Sequence, residues 1–235
     1  EGPPRGLKRR ERLIVREAAL MLKTITAGLA IALIGAAPAT APYTVKAGLF
    51  EAGAPDLGLG AAPGAETFTI FAPTPDTDKF SNGVVLIPFK GKLYAQWQSS
   101  ARDEDSADTW VAYSVSDDGR VWSPPKTLAP AGTNGLMRSS GGWWTDGEIL
   151  IAYANVWPDG FHSGAGGYAE YRTSRDGQTW SAPRRVLGAD GRPVEGVIEQ
   201  DPRLVDGRVF TAFHLRPGMI AQPFHTDDPL GVTGW

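Results

Sequence analysis

Two copies of one seven-residue pattern constrain this chain more than its composition does. Ser116-Asp117-Asp118-Gly119-Arg120-Val121-Trp122 and Ser174-Arg175-Asp176-Gly177-Gln178-Thr179-Trp180 both read S-x-D-G-x-[TV]-W and lie 58 residues apart. Each follows a short aromatic run, Val111-Ala112-Tyr113 or Tyr168-Ala169-Glu170-Tyr171, and each precedes Ser-x-Pro. A fixed internal period signals a repeat architecture and decides the fold class before residue propensities do. Within the pattern, Ser and Asp can hydrogen-bond the backbone of a tight turn, Gly supplies a positive φ, and Trp packs beneath. Its acidic residues are therefore expected to be structural.

Hairpins run in phase with the pattern. Glycine turns at Lys90-Gly91-Lys92, Asp146-Gly147-Glu148 and Asp206-Gly207-Arg208 each join two runs rich in β-branched and aromatic residues, as hairpins require. A third, longer copy of the motif closes the sequence from Thr226 to Trp235, with Asp228 in the aspartate position. Each repeat thus reads as four antiparallel strands with the motif between the third and fourth. The fold class expected is all-β, a β-propeller with blades near 80–128, 138–187 and 198–235. Propeller rings typically hold four to eight blades. These three are expected to be the N-terminal part of a six- or seven-bladed protein.

The lead-in reads differently. Residues 1–20 are polar and basic, an expected extension upstream of Met21. Residues 21–39 combine a charged start, an apolar run and small residues ending at Ala39, the pattern of a cleaved signal peptide. Removing residues 1–39 takes away seven Lys/Arg and three Asp/Glu, leaving 16 basic and 23 acidic residues. A secreted or periplasmic protein is expected, with no stable membrane span after cleavage. Residues 40–67, rich in Ala, Gly and Pro, read as a linker. The formal net charge of −3 argues against a nucleic-acid partner, and the absence of cysteine rules out disulfides and thiolate metal sites. No phosphate-binding loop, dinucleotide fingerprint or zinc spacing is present, so neither cofactor nor metal is expected.

Blade topology directs the search for chemistry to the loops opposite the motif. The loop after the second strand of blade one, Ser99 to Ser106, clusters Arg102, Asp103, Glu104 and Asp105. A carboxylate there can serve as general acid or base. Asn82, Arg138 and Ile198 align at the starts of the first strands, and Arg138 could grip a carboxylate through two parallel hydrogen bonds. Blade three offers Glu199 and Asp201, then His214 and Arg216 at the end of its second strand, where His214 aligns with Gln98 and Ala154. A histidine beside an arginine is a plausible base next to an anion contact. His162 lies in a Gly-rich loop. Trp97, Trp143, Trp144 and Trp157 could stack on sugars, although core packing suits most of them better.

The motif resembles the Asp-box (BNR) repeat of the sialidase superfamily, carried by Ser116, Asp118, Gly119 and Trp122, and by Ser174, Asp176, Gly177 and Trp180. The resemblance implies an exported carbohydrate-active enzyme, a sialidase-like glycoside hydrolase whose substrate is a glycan with an acidic sugar or an acidic polysaccharide. It matches Arg102 and Asp103 to the family's acid/base loop, with Asp103 as proton donor and acceptor. Catalytic Asp103 and His214, and substrate contacts Asn82, Arg102, Arg138, Glu199, Asp201 and Arg216, follow as the expected site. Leu86-Ile87-Pro88 keeps only part of the family's Arg-Ile-Pro. A uronate polysaccharide lyase with His214 as base, and a non-catalytic glycan-binding propeller, are the alternatives.

Overall fold

The computed structural model describes residues 46–60, 62–162, 166–215, 218 and 220–235. The expected signal peptide and Arg216 lie outside the described residues. The chain divides into Glu1–Ala65 and Glu66–Trp235. The described part of the first unit is a succession of turns. Among the described residues, all twelve strands lie in the second unit and no helix occurs.

Blade one is a sheet ordered β1 (Phe80–Phe89), β2 (Lys92–Ser100), β3 (Trp110–Ser116) and β4 (Lys126–Ala129), with every pair antiparallel. Blade two repeats this as β5 (Met137–Thr145), β6 (Leu150–Trp157), β7 (Tyr168–Ser174) and β8 (Arg184–Arg185). In blade three the first strand is broken into β9 (Gly196–Ile198) and β10 (Arg203–Val205). Both pieces pair with β11 (Arg208–Leu215), which pairs in turn with β12 (Ile220–Thr226). These are the antiparallel blades of a β-propeller.

Burial follows from the stacking of blades. β6 is buried at all eight positions because blades one and three cover both its faces. It therefore reads as a continuous run, without the alternation of a half-exposed strand. Between blades one and two pack Phe89, Tyr94, Val111, Tyr113, Trp143 and Leu150, with Trp180 against them. Between blades two and three pack Ile151, Tyr153, Ile198, Phe213, Val232 and Trp235. Trp97, Trp143 and Trp157 are buried, and the indole of Trp144 donates to Pro229 O at 2.8 Å.

The three motifs build one turn. Ser116 Oγ accepts from Gly119 N at 2.9 Å, and Asp118 Oδ1 accepts from Arg120 N and Val121 N at 2.8 and 3.0 Å. Ser174 and Asp176 do the same for Gly177, Gln178 and Thr179. The extra residues of the third copy are absorbed by Asp228, which accepts from the amides of Leu230, Val232 and Thr233. Trp122 and Trp235 donate their indole N–H to Gly119 O and Gly231 O.

The turn also locks neighbouring blades together. Tyr94 OH donates to Asp176 O at 3.4 Å, and Tyr153 OH to Gly231 O at 2.6 Å. Each tyrosine reaches from one blade onto the motif glycine region of the next.

Candidate functional site

All three inner strands lose register at their midpoints. β1 is irregular between Asn82 and Val85, and β5 between Ser140 and Gly142. Blade three leaves the ladder altogether between Ile198 and Arg203. Bulges re-aim backbone and side chains, and they recur beside active sites. Here they border one cleft of about 370 Å³, lined by Asn82, Gly83, Val85, Gln98, Glu104, Ser139, Ser140, Gly142 and Glu199, among others. The strand register puts this cleft at the opposite end from the motifs. Asn82 pairs with Gln98, whereas Ser116 pairs with Leu93 at the other end of β2.

The expected site residues divide in this geometry. Asn82 and Glu199 line the cleft. From the acidic loop, Glu104 reaches it. Asp103 is exposed, and its carboxylate accepts from Ser106 Oγ at 3.0 Å while Ser100 Oγ donates to its carbonyl. Arg102 is exposed on the same loop. Asp105 lies 3.0 Å from His162 Nε2, an exposed contact between the loops of blades one and two.

Arg138 does not line the cleft. Its Nε lies 3.2 Å from Glu170 Oε1, and its guanidinium donates to Pro130 O at 2.9 Å. Arg172 reaches the same Glu170 oxygen at 3.0 Å, so one buried carboxylate lies between two arginines. Asp201 bonds the backbone of blade two, accepting from Trp143 N at 2.7 Å. Burial raises its pKa, and that hydrogen bond opposes the rise.

His214 Nδ1 lies 2.9 Å from Glu199 Oε2, although the ring is not aligned for a hydrogen bond. The pairing register changes its expected alignment. His214 faces Ala221, Gln98 faces Val111 and Asn155 faces Ala169, each rung five residues before the motif Ser or Thr. His214 is thus level with Asn155 rather than Ala154, because the longer turn before β6 shifts blade two by one residue. The glycines that mark the bulges, Gly83 and the pair Gly141-Gly142, were the sequence signal for the cleft; isolated glycine in a strand pattern suggests a bulge.

Among the described residues no cluster of three or more His, Asp or Glu could hold a metal ion. Likewise no described helix is long and apolar enough to cross a membrane.

The family profile for BNR repeat-like domains matches residues 91–235. The chain belongs to this family. The matched region begins at the first hairpin glycine and takes in all three motifs, so the likeness to Asp-box propellers read from the motif holds at family level. No curated protein matches the chain in sequence. Among solved structures, the chain is similar to an N-acetylgalactosamine deacetylase from F. plautii in complex with blood group B trisaccharide. That likeness has 20% identity and a TM-score of 0.52, covering 73% of this chain and 55% of the other. A Dyadobacter fermentans protein of unknown function is 15% identical with a TM-score of 0.51, covering 70% and 55%. A Trypanosoma rangeli sialidase in complex with sialic acid is 17% identical with a TM-score of 0.41, covering 65% and 27%. The chain spans about half the length of the first two, and its likeness to them is one of fold.

Proposed function

We propose that the protein processes carbohydrate at the three-blade cleft, as a sialidase-like glycoside hydrolase. The observation that carries this reading is the convergence of Glu104 and Glu199 in one cleft with the amides of Asn82 and Gln98 and the hydroxyls of Ser139 and Ser140. Glycosidic hydrolysis uses two carboxyl groups: one protonates the leaving oxygen, the other activates water or attacks the anomeric carbon. Neutral amides and hydroxyls suit sugar hydroxyls, since both can donate and accept. Membership of the BNR repeat-like family supports the reading.

In this reading Glu104 and Glu199 share the acid and base roles, and His214 holds Glu199 in place. Asp103, the loop carboxylate matched by the motif resemblance, ties its own turn through Ser106. The described lining residues carry two carboxylates and no lysine or arginine. They suit a neutral glycan, whereas an acidic sugar would draw its cation from Arg216 or another part of the protein.

The test is turnover of neutral and acidic aryl glycosides by the full-length protein. Glu104→Gln and Glu199→Gln are each expected to lose at least about 100-fold in kcat, the usual scale of acid/base catalysis, while Asp103→Ala retains turnover. Full activity in either glutamine variant would sink the hydrolase reading. Saturable glycan binding without cleavage by the wild type would instead leave a binding propeller.

The contact between His214 and Glu199 favours one second reading, a uronate lyase with His214 as the base oriented by a carboxylate. It predicts an unsaturated product that absorbs in the near ultraviolet. We also propose export directed by residues 21–39. Protein recovered from the periplasm or medium is expected to begin at residue 40, and recovery of the uncleaved chain from the cytoplasm would overturn it.

A further inference from the structure

We infer that Asn155 is a positioning residue for the Glu199–His214 pair. The kinetic part of this inference rests on the carbohydrate-processing reading above; the structural part does not.

Asn155 is fully buried in the middle of β6, between blades two and three. Its Nδ2 donates to Ile198 O at 2.7 Å, and its Oδ1 accepts from Ile198 N at 2.9 Å. One side chain therefore takes both backbone groups of one residue in the next blade. The same Nδ2 donates to Ser140 O at 3.2 Å. Ser140 and Glu199, which follows Ile198 directly, line the cleft from blades two and three.

The position of Ile198 gives this clamp its consequence. Ile198 is the last residue of β9, opposite Phe213, before the inner strand leaves the ladder. Beyond it the ladder does not hold the chain again until Arg203. Asn155 thus fixes the last anchored point before Glu199. On the other side His214 sits opposite Val197. The separation of Glu199 from His214 is then set on the upstream side by the β11 ladder and Asn155. Downstream it is set by Thr211 Oγ1, which donates to Gln200 O at 3.1 Å, and by the contact of Asp201 with Trp143 N.

A primary amide carries its donor and its acceptor on separate atoms, so one asparagine side chain can span the C=O and the N–H of a single residue. Aspartate would face the carbonyls of Ile198 and Ser140 with a carboxylate. Alanine would leave the buried N–H and C=O of Ile198 without this partner. Blade one repeats the device one interface earlier: Gln96, also fully buried, donates to Gly142 O at 2.6 Å and accepts from Ser140 Oγ at 3.2 Å.

A double-mutant cycle in the full-length protein tests the inference. Asn155→Ala is expected to lower kcat roughly 10- to 100-fold with KM changed less than about threefold, since a displacement near 1 Å can cost that much in rate. In a Glu199→Gln background the same substitution should change kcat by less than about twofold, because interacting residues are not additive. Independent, multiplying effects would overturn the inference and leave Asn155 as a stability residue. A second readout needs no turnover. The chain has three histidines, so the His214 ring resonances can be assigned by deleting each. Asn155→Ala should move them in the direction that Glu199→Gln does; unmoved resonances would overturn the inference. If Asn155→Ala does not fold, Asn155→Ser carries both measurements. If Glu199→Gln keeps full activity, the carbohydrate reading fails and the resonance result alone decides the role of Asn155.

Discussion

Asp201 Oδ1 accepts the backbone N–H of Trp143 at 2.7 Å, joining the break in blade three to the bulge of blade two. Gly142 comes so close that a Cβ there would lie 2.6 Å from the same oxygen. Bulge and break are thus two halves of one contact, and together they place Ser140 and Glu199 on the same cleft.

This contact predicts different outcomes for two substitutions of Asp201. Burial raises its folded-state pKa, so the folded protein binds the proton more tightly than the unfolded chain. The associated stability is present below the unfolded value and is lost as pH rises through the folded one. Asp201→Asn keeps an acceptor and removes the buried charge. It should match or exceed wild-type stability at pH 7, and that advantage should vanish below about pH 4, where the aspartate is protonated in both states. Asp201→Ala strands the Trp143 amide and should cost about 1–3 kcal/mol. Urea denaturation at the two pH values measures both.

A motif glycine and a hairpin glycine predict a second contrast. Gly177 has φ +68, and a Cβ on it would collide with the Tyr94 ring of the preceding blade. Gly147 has φ +99 with nothing within 4 Å of the same added atom. Both would suffer the left-handed backbone cost, roughly 1–2 kcal/mol for a residue with a side chain. Gly177→Ala must in addition displace a buried tyrosine, which adds roughly 1–3 kcal/mol of overpacking. Thermal melts should therefore rank Gly177→Ala well below Gly147→Ala. Equal losses would show that the tyrosine seat carries no weight.

What the sequence made legible follows from the range of each signal. The motif and the glycine turns are local, so they made the antiparallel blades of an all-β propeller legible, including the third motif around Asp228 despite its insertion. The tyrosine seats were hidden because Tyr94 and Asp176 are 82 residues apart and meet only when blades stack. The same distance problem governed the site. The acidic loop was visible, but which of its carboxylates faces the cleft depends on the turn made by Asp103 and Ser106. Arg138 reads as a free cation at a strand start until Glu170, two strands away in the same blade, takes it. Asn155 looks like an interruption of an apolar strand, and only the next blade explains it.

The motif aspartates predict an acid limit to stability. Amides of Thr179 and Gln178, followed by the Ser174 hydroxyl, hold the Asp176 carboxylate far below the usual carboxylate range. The amides of Val121 and Arg120 lower Asp118. Burial pushes Asp228 up, but amides led by that of Leu230, together with the Thr233 hydroxyl, outweigh it. A folded-state pKa below the unfolded one means stability that is present above about pH 4 and is lost as pH falls toward the folded value. The wild-type melting temperature should decline steadily below pH 4. Asp176→Asn should melt lower at pH 7 and lose less on acidification. Parallel pH curves for the two proteins would exclude this origin.

Arg138 gives the last prediction, because its place at a strand start and its observed partners point in different directions. As an anion contact, its loss would raise KM for acidic glycans selectively and leave melting unchanged. As placed, it shares Glu170 with Arg172 and bonds Pro130 O, so its loss should lower the melting temperature and leave the ratio of acidic to neutral turnover unchanged. Arg138→Met keeps the apolar stem and should cost less than Glu170→Gln. The latter leaves two partly or wholly buried guanidinium groups without their shared carboxylate. Breaking buried pairs in this way typically costs about 3–5 kcal/mol. Denaturant melts of both variants, set beside their kinetics on paired acidic and neutral substrates, separate the two roles. A selective rise in KM of more than about tenfold with unchanged stability would return Arg138 to the substrate.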